Sequence, residues 1–452
     1  MSKLKRFLKT SEYKRILENI VSLTGLQFAS YILPLITLPY LTMVLGPDMF
    51  GLTQYAISLI TYFQIVTDYG FNLSATRELA IKREDNKEVS RIFSSVMFIK
   101  CILMILTFIV LILIVIFIPK FSEDYLIYIL TFGMVIGYML FPTWFFQAME
   151  YMRYTSILNI IGKLIYTIAI FIFIHNENDY ILVPVINSIG LIIVGIMGLY
   201  MAIRRFNIKL QIPKLKDIKY QLKEGWHVFI STISINLYTT TNTFLLGLLT
   251  NNTLVGYYSI AEKIVLAANG LLTPISQALY PYVSRKSSKS KTINIQFIRK
   301  LTKLMAAVGL VLSLAIFIFA KPIIIIIFGD AYTSSIILLE ILSALPLIVA
   351  LSTVFGVQTM LTHNYQKAFS SITLLGGIIN IILAIILITI YGAIGIATSF
   401  VITESFITIS MLLFLQTHNI KIIPHKKKLK AQLKAWKKKL IFSLIFLFYF
   451  FL

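Results

Sequence analysis

The 452-residue chain has one cysteine, Cys101, so no internal disulfide can form. Cys101 lies in an apolar run and reads as a small buried or lipid-facing filler. Its five histidines show no metal-ligand spacing, and no catalytic triad or metal motif is visible, so no cofactor is implied. Charged residues are scarce at 13%, and acidic ones scarcer still: 19 Asp and Glu stand against 41 Lys and Arg. The net charge of +22 does not point to nucleic acid, because the basic residues are spread along the chain without a binding module. No extramembrane domain is expected on either side. The outward loops are short, and even the longest, 320–335, contains the apolar stretch Ile323 to Phe328.

What the chain does have is apolar length. It is 58% hydrophobic with a mean hydropathy of +0.85. A soluble fold of this size could not hide that surface, so lipid must cover much of it. Twelve apolar runs are read as membrane spans: 20–45, 52–80, 92–118, 125–148, 155–174, 181–203, 225–249, 255–283, 299–319, 336–360, 367–390 and 394–416. Each is long enough to cross the bilayer at about 1.5 Å per residue. Alternate gaps carry the basic residues. The N-terminal arm, the even gaps and the tail hold 35 of the 41 Lys and Arg, and the odd gaps hold only Lys120 and Lys321. Positive charge stays inside, so both termini are expected in the cytoplasm, where the charge also attracts anionic lipid heads. The arm lacks a small-residue cleavage site, and the first span is expected to be its own insertion signal.

The expected organisation is all-α. It has a basic arm (1–19), six spans (20–203), a basic linker (204–224), six more spans (225–416) and a basic tail with a short apolar end (417–452). The stretch Leu440 to Leu452 is too short for a full span and reads as an interfacial anchor, with a truncated thirteenth span as the alternative. The turns 44–51 and 249–256 look related, both ending in Gly followed by Leu or Tyr and a long helix. They suggest a six-span repeat whose halves share one orientation.

Four basic residues are not explained by topology: Arg77, Lys100, Lys163 and Lys263. Charges at membrane depth are costly and face a bundle interior or water. Lys100 is near the end of its span and is expected to snorkel to the surface. Asp68, with Asn72 and Thr76 at helical spacing, marks span two, where a structural hydrogen bond between helices is the competing reading; Gly70 can loosen that helix. Arg77 and Glu78 follow nearer the cytoplasm, and interfacial snorkelling is their plainer explanation. Lys163 shares a polar stripe with Asn159, Tyr166 and Thr167, where a snorkelling lysine is again the plainer alternative. Glu262 and Lys263 open a polar flank of span eight that continues through Asn269, Thr273, Ser276, Gln277 and Tyr280. A local ion pair is the competing reading there. Span seven is polar from Asn236 to Thr243 and includes Asn242. Span one has Gln27 and Tyr31, then Pro34 and Pro39, which permit bending. Span twelve carries Glu404. Glu340 reads as interfacial.

A lumen lined by Lys163, Lys263 and Arg77 would attract an anion such as a phosphate group. The expected substrate contacts are those three with Asn159, Asn72, Gln27, Asn242, Asn269 and Gln277. The carboxylates Asp68, Glu262 and Glu404 are expected to couple transport to an ion, since buried carboxylates can take up and release protons.

Several strings carry a family resemblance. They are Leu38-Pro39-Tyr40-Leu41-Thr42 with Val44-Leu45-Gly46-Pro47, the run Asp68 to Glu78, and Trp144 to Glu150. The second half adds Tyr257 to Lys263 and Pro274 to Pro281. Together they resemble the Wzx-type polysaccharide repeat-unit flippases of the multidrug/oligosaccharidyl-lipid/polysaccharide exporter superfamily. The resemblance covers essentially all twelve spans. It implies two six-helix lobes in a V around a central cavity. It implies translocation of undecaprenyl-pyrophosphate-linked oligosaccharide to the outer face of the bacterial cytoplasmic membrane, for O-antigen or capsule. It also implies antiport with H+ or Na+, and other polysaccharide-assembly membrane proteins as candidate partners. Met43 and Ala148 depart from the family's frequent basic residue and glycine. The alternatives are a multidrug or other lipid-linked precursor exporter, or a membrane-embedded glycan polymerase or ligase, which would need an outward catalytic loop of some size.

Overall fold

The computed structural model describes residues 11–273 and 291–418, with 276, 283, 420 and 422. The N-terminal arm up to 10, Gln277, Tyr280 and the tail from 423 lie outside the described residues, as do the side chains of Gln27 and Tyr31. Among the described residues every regular element is helical. In lipid each backbone N–H and C=O must bond within its own segment, which leaves helices as the way for such apolar runs to cross.

Helix α1 (Ser11–Asp68) turns back on itself at Gly46, whose φ of 65° is open to glycine at little cost. Span two then breaks at Tyr69 and Gly70, with φ of 45° and 76°, and resumes as α2 (Phe71–Lys82). Next come α3 (Asn86–Phe117), three short pieces from Tyr125 to Ala148, α4 (Met152–Phe173) and α5 (Leu182–Arg205). The second half holds α6 (Leu215–Thr239), α7 (Thr241–Leu249), α8 (Asn252–Gly270), α9 (Lys291–Phe328), two pieces from Ser335 to Phe355, α10 (Gln366–Tyr391) and α11 (Ala393–Thr417). Nine stretches among the described residues are long and apolar enough to cross a membrane. The helices α6, α7 and α8 are not among them. Their polar stretch from Asn236 to Thr243 and the pair Glu262–Lys263 set them apart from the lipid-facing runs.

Among the described residues the buried apolar side chains form three clusters, and their distribution defines the shape. One continuous core joins both halves, running from Leu38 and Phe63 through Phe121 and Tyr128 to Tyr258, Tyr332 and Phe400. Its members surround the turns poor in basic residues. At the opposite, basic end the cores separate. One cluster holds Phe71, Phe93, Trp144 and Ala202 of the first half, with Ile218 and Leu222 of α6 packed against it. The other holds Met305, Val354, Phe355 and Met411 of the second. Two lobes therefore share one core at one end and keep separate cores at the other, as the arms of a V do, and α6 leans on the first lobe at the basic end, where Phe229 stacks on Tyr69.

The extended segment between α5 and α6 is not a loose tether. The Lys209 and Gln211 N–H groups donate to Ser90 and Ser94 Oγ on α3, each at 3.1 Å. Arg91 of α3 pairs with Asp217 of α6, and Gln221 Nε2 donates to Glu78 Oε2 at 2.7 Å. Asp85 caps α3 by accepting from the N–H groups of Lys87 and Glu88. Glu88 then sits between Arg91 and Lys82, at 2.8 and 3.0 Å. These guanidinium and ammonium contacts hold its carboxyl down at about 2.

Candidate functional site between the lobes

Where the lobes fuse, a cavity of about 360 Å³ opens between them. The first lobe supplies Thr37, Gln54, Met134, Tyr166 and Asn187, and the second supplies Lys263, Leu266 and Ala267. Lys263 is the single charged group on this wall among the described residues. The wall otherwise combines amides and hydroxyls with apolar surface, a mixture suited to an anionic, hydroxyl-rich ligand. The span-eight helix presents Lys263 because α8 starts at a capped turn, Asn251 accepting from the Leu254 N–H at 3.0 Å. The helix then crosses α1 closely along its length.

The three expected lumen cations do not converge on this cavity. Arg77 is exposed and lines a separate cleft of about 280 Å³ between α2 and α6, with Glu78, Lys82, Tyr220 and Glu224. Lys163 is half-buried on α4 and lines neither space. It lies one turn before Tyr166, which does reach the cavity.

Lys100 corrects an expectation. It does not snorkel; its side chain is 2% exposed and its ammonium sits 2.8 Å from Asp68 Oδ1. It also donates to the Tyr138 carbonyl at 3.4 Å. An ammonium buried this deeply needs a counter-charge, and Asp68 is that partner. Asp68, expected as a coupling carboxylate, is thus engaged at the break in span two.

The remaining expected residues fall into three groups. Asn242 is fully buried. It accepts from Asn380 Nδ2 at 2.7 Å, and Asn380 Oδ1 accepts from Thr403 at 3.2 Å. That bridge ties α7, α10 and α11 together, so Asn242 holds helices rather than facing the cavity. Asn159 donates to the Thr155 carbonyl of its own helix at 2.8 Å, and Asn72 is exposed. Glu262 accepts from Thr243 at 3.1 Å and from Tyr258 at 3.3 Å. Glu404 is buried in α11, 7% exposed, with no hydrogen bond or ion pair among the described residues. The Asn269 side-chain oxygen is buried without a hydrogen-bond partner among them. No group of three His, Cys, Asp or Glu among the described residues could hold a metal ion.

Four residues escaped the sequence reading: Gln54, Asn187, Lys100 as an ion-pair partner, and Asn380. Asn187 and Asn380 are each the single amide of an apolar span, and Gln54 shares span two with Gln64 and Asn72, signals available in the sequence. The partner of Lys100 had no such signal.

The lobed helical bundle is that of membrane transporters. Its fold matches an inward-facing multidrug resistance MATE transporter of the MOP superfamily at a TM-score of 0.65, with 14% identity over 86% of this chain and 95% of that one. It matches the lipid II flippase MurJ, in an inward closed conformation, at 0.68, with 16% identity over 88% of this chain and 89% of that one. More specifically, residues 16–287 match the model of the polysaccharide biosynthesis protein family, and the chain belongs to that family. Two curated relatives share the name "Putative O-antigen transporter". The Escherichia coli K12 protein is 32% identical over 89% of this chain and 97% of its own length. The Shigella dysenteriae protein is 29% identical over 87% and 98%. These relatives are named as transporters, not enzymes.

Proposed function

We propose that this protein is a flippase for lipid-linked oligosaccharide repeat units of a bacterial surface polysaccharide, O-antigen or capsule. The carrier lipid is undecaprenyl pyrophosphate. Transport runs from the cytoplasmic to the outer face of the cytoplasmic membrane, by alternating access between the two lobes. In this reading the chain crosses the membrane twelve times, six in each lobe (20–203 and 225–416), with both termini in the cytoplasm. The observation that carries the reading is the cavity wall at the lobe junction, where Lys263 stands among Gln54, Asn187 and Tyr166. One cation meets the pyrophosphate, and the amides and hydroxyls meet the sugar. A cavity with a cation and, among the described residues, no carboxylate on its wall suits this cargo better than a cationic drug.

Coupling to H+ or Na+ is part of the proposal. Asp68 is matched by Lys100, which leaves Glu404, and Glu262 beside Lys263, as the carboxylates available to a travelling ion. The test is deletion of the gene followed by complementation. Loss should trap lipid-linked oligosaccharide on the inner face, and the intact chain should clear it. Lys263→Ala should trap it too, at normal protein levels, with Lys163→Ala and Arg77→Ala milder. Normal export by Lys263→Ala would remove the cavity assignment. Glu404→Gln should flatten the pH or sodium dependence of transport, and an unchanged dependence would dismiss Glu404 as the coupling group.

A further inference from the structure

Two turns with the same position in their lobes meet at the fused end. The first runs from Pro47 to Gly51 and the second from Asn252 to Gly256. A Cβ on Gly51 would lie 1.8 Å from the Asn252 carbonyl oxygen, and a Cβ on Gly256 would lie 2.2 Å from the Pro47 carbonyl oxygen. The contact is reciprocal: the glycine closing each turn receives the residue that opens the other. Between them Thr253 Oγ1 donates to Asp48 Oδ1 at 3.0 Å, and these two stand 205 positions apart. The same offset relates Gly51 to Gly256 and Pro47 to Asn252. A two-fold relation between two halves of one chain would produce such self-complementary contacts.

Both atoms facing the glycines belong to the backbone, so neither can swing aside. Small residues let helices approach this closely. A methyl group at 51 would fall about 1.2 Å short of the 3.0 Å below which real Cβ contacts are essentially absent. Glycine is therefore needed here only while the turns touch. Few polar ties reinforce the contact. Lys120, one of two basic residues at this end, donates to the Leu248 and Thr250 carbonyls at 3.0 and 2.9 Å. Those carbonyls belong to the negative end of α7. Tyr332 OH donates to the Thr42 carbonyl at 3.1 Å. Both ties run between the lobes, and neither is an ion pair.

We propose that this reciprocal glycine contact is the outer gate of the cavity, closed in this structure and parted to release the cargo. The proposal rests on the alternating-access reading above. A seal made of backbone packing and a few hydrogen bonds closes tightly yet leaves no unpaired buried charge when it opens.

The test uses the full chain in membranes with Cys101→Ser as background and Gln54→Cys as a reporter inside the cavity. A membrane-impermeant maleimide is added to intact cells. Gly51→Ala and Gly256→Ala should each raise the labelling rate at least about fivefold, because both populate the parted state. Unchanged labelling, with the variant present at normal levels, overturns the proposal. A second arm places cysteines at both Asp48 and Thr253. Mild oxidation should cross-link them and suppress reporter labelling, and reduction should restore it. Absence of the cross-link, or a cross-link without effect on labelling, also overturns the gate. If the glycine variants fail to accumulate, this second arm decides. Glycan export enters neither readout, so the gate and the flippase reading can fail separately.

Discussion

Removing either member of the Lys100–Asp68 pair should destabilise the protein by unequal amounts. The two side chains meet at 2.8 Å, but Lys100 is 2% exposed and Asp68 is 23% exposed. Breaking a buried pair costs about 3–5 kcal/mol, most of it from the charge left behind. Asp68→Asn leaves an ammonium sealed from water and should fall at the upper end of that range. Lys100→Met leaves a carboxylate that water can reach, so its loss should sit near about 3 kcal/mol or below. The double variant Asp68→Asn/Lys100→Met removes both charges and should recover most of the stability, because an apolar replacement of a buried pair is often neutral. The measurement is the midpoint of thermal unfolding of the three purified variants in one detergent. Equal losses in the two single variants, or a double variant as unstable as Asp68→Asn, would refute the view that burial of Lys100 sets the cost.

Two further outcomes follow from buried and surface polar groups. Asn380→Leu should cost about 1–3 kcal/mol by removing the amide that donates to the fully buried Asn242, read as a lowered unfolding midpoint; an unchanged midpoint would dismiss the bridge as a stabilising element. Glu88 has its carboxyl depressed from 4.5 to about 2 by Arg91 and Lys82. Its contribution is therefore present above about pH 4.5 and fades as pH falls toward 2. Arg91→Ala should lower the unfolding midpoint at neutral pH, with parent and variant converging in acid, and a gap independent of pH would exclude Glu88 as the group involved.

Much of the fold was legible because its causes are local. Apolar length, basic gaps and Gly46, Gly70 and Asn251 at helix breaks or caps each act within a few residues of chain. The related turns at 44–51 and 249–256 were also visible. The site was legible in part. Lys263 stood out as a charge in an apolar span, and the structure puts it on the cavity wall. Arg77 and Lys163 stood out for the same reason, and they do not share that wall. A charge in a span announces that it has a partner or a cavity, but not which one.

The sequence by itself determined that this is a helical membrane protein, which end is basic and which few polar residues need an explanation. Those properties depend on composition along short segments, where hydropathy and charge act without regard to the rest of the chain. Only the tertiary structure decided the pairings. Lys100 found Asp68 from another span, Asn380 found Asn242 from 138 positions away, and Gly51 and Gly256 each met the opening residue of the other's turn. Burial makes these contacts strong, and burial is set by how helices from distant parts of the chain pack, which no local pattern records.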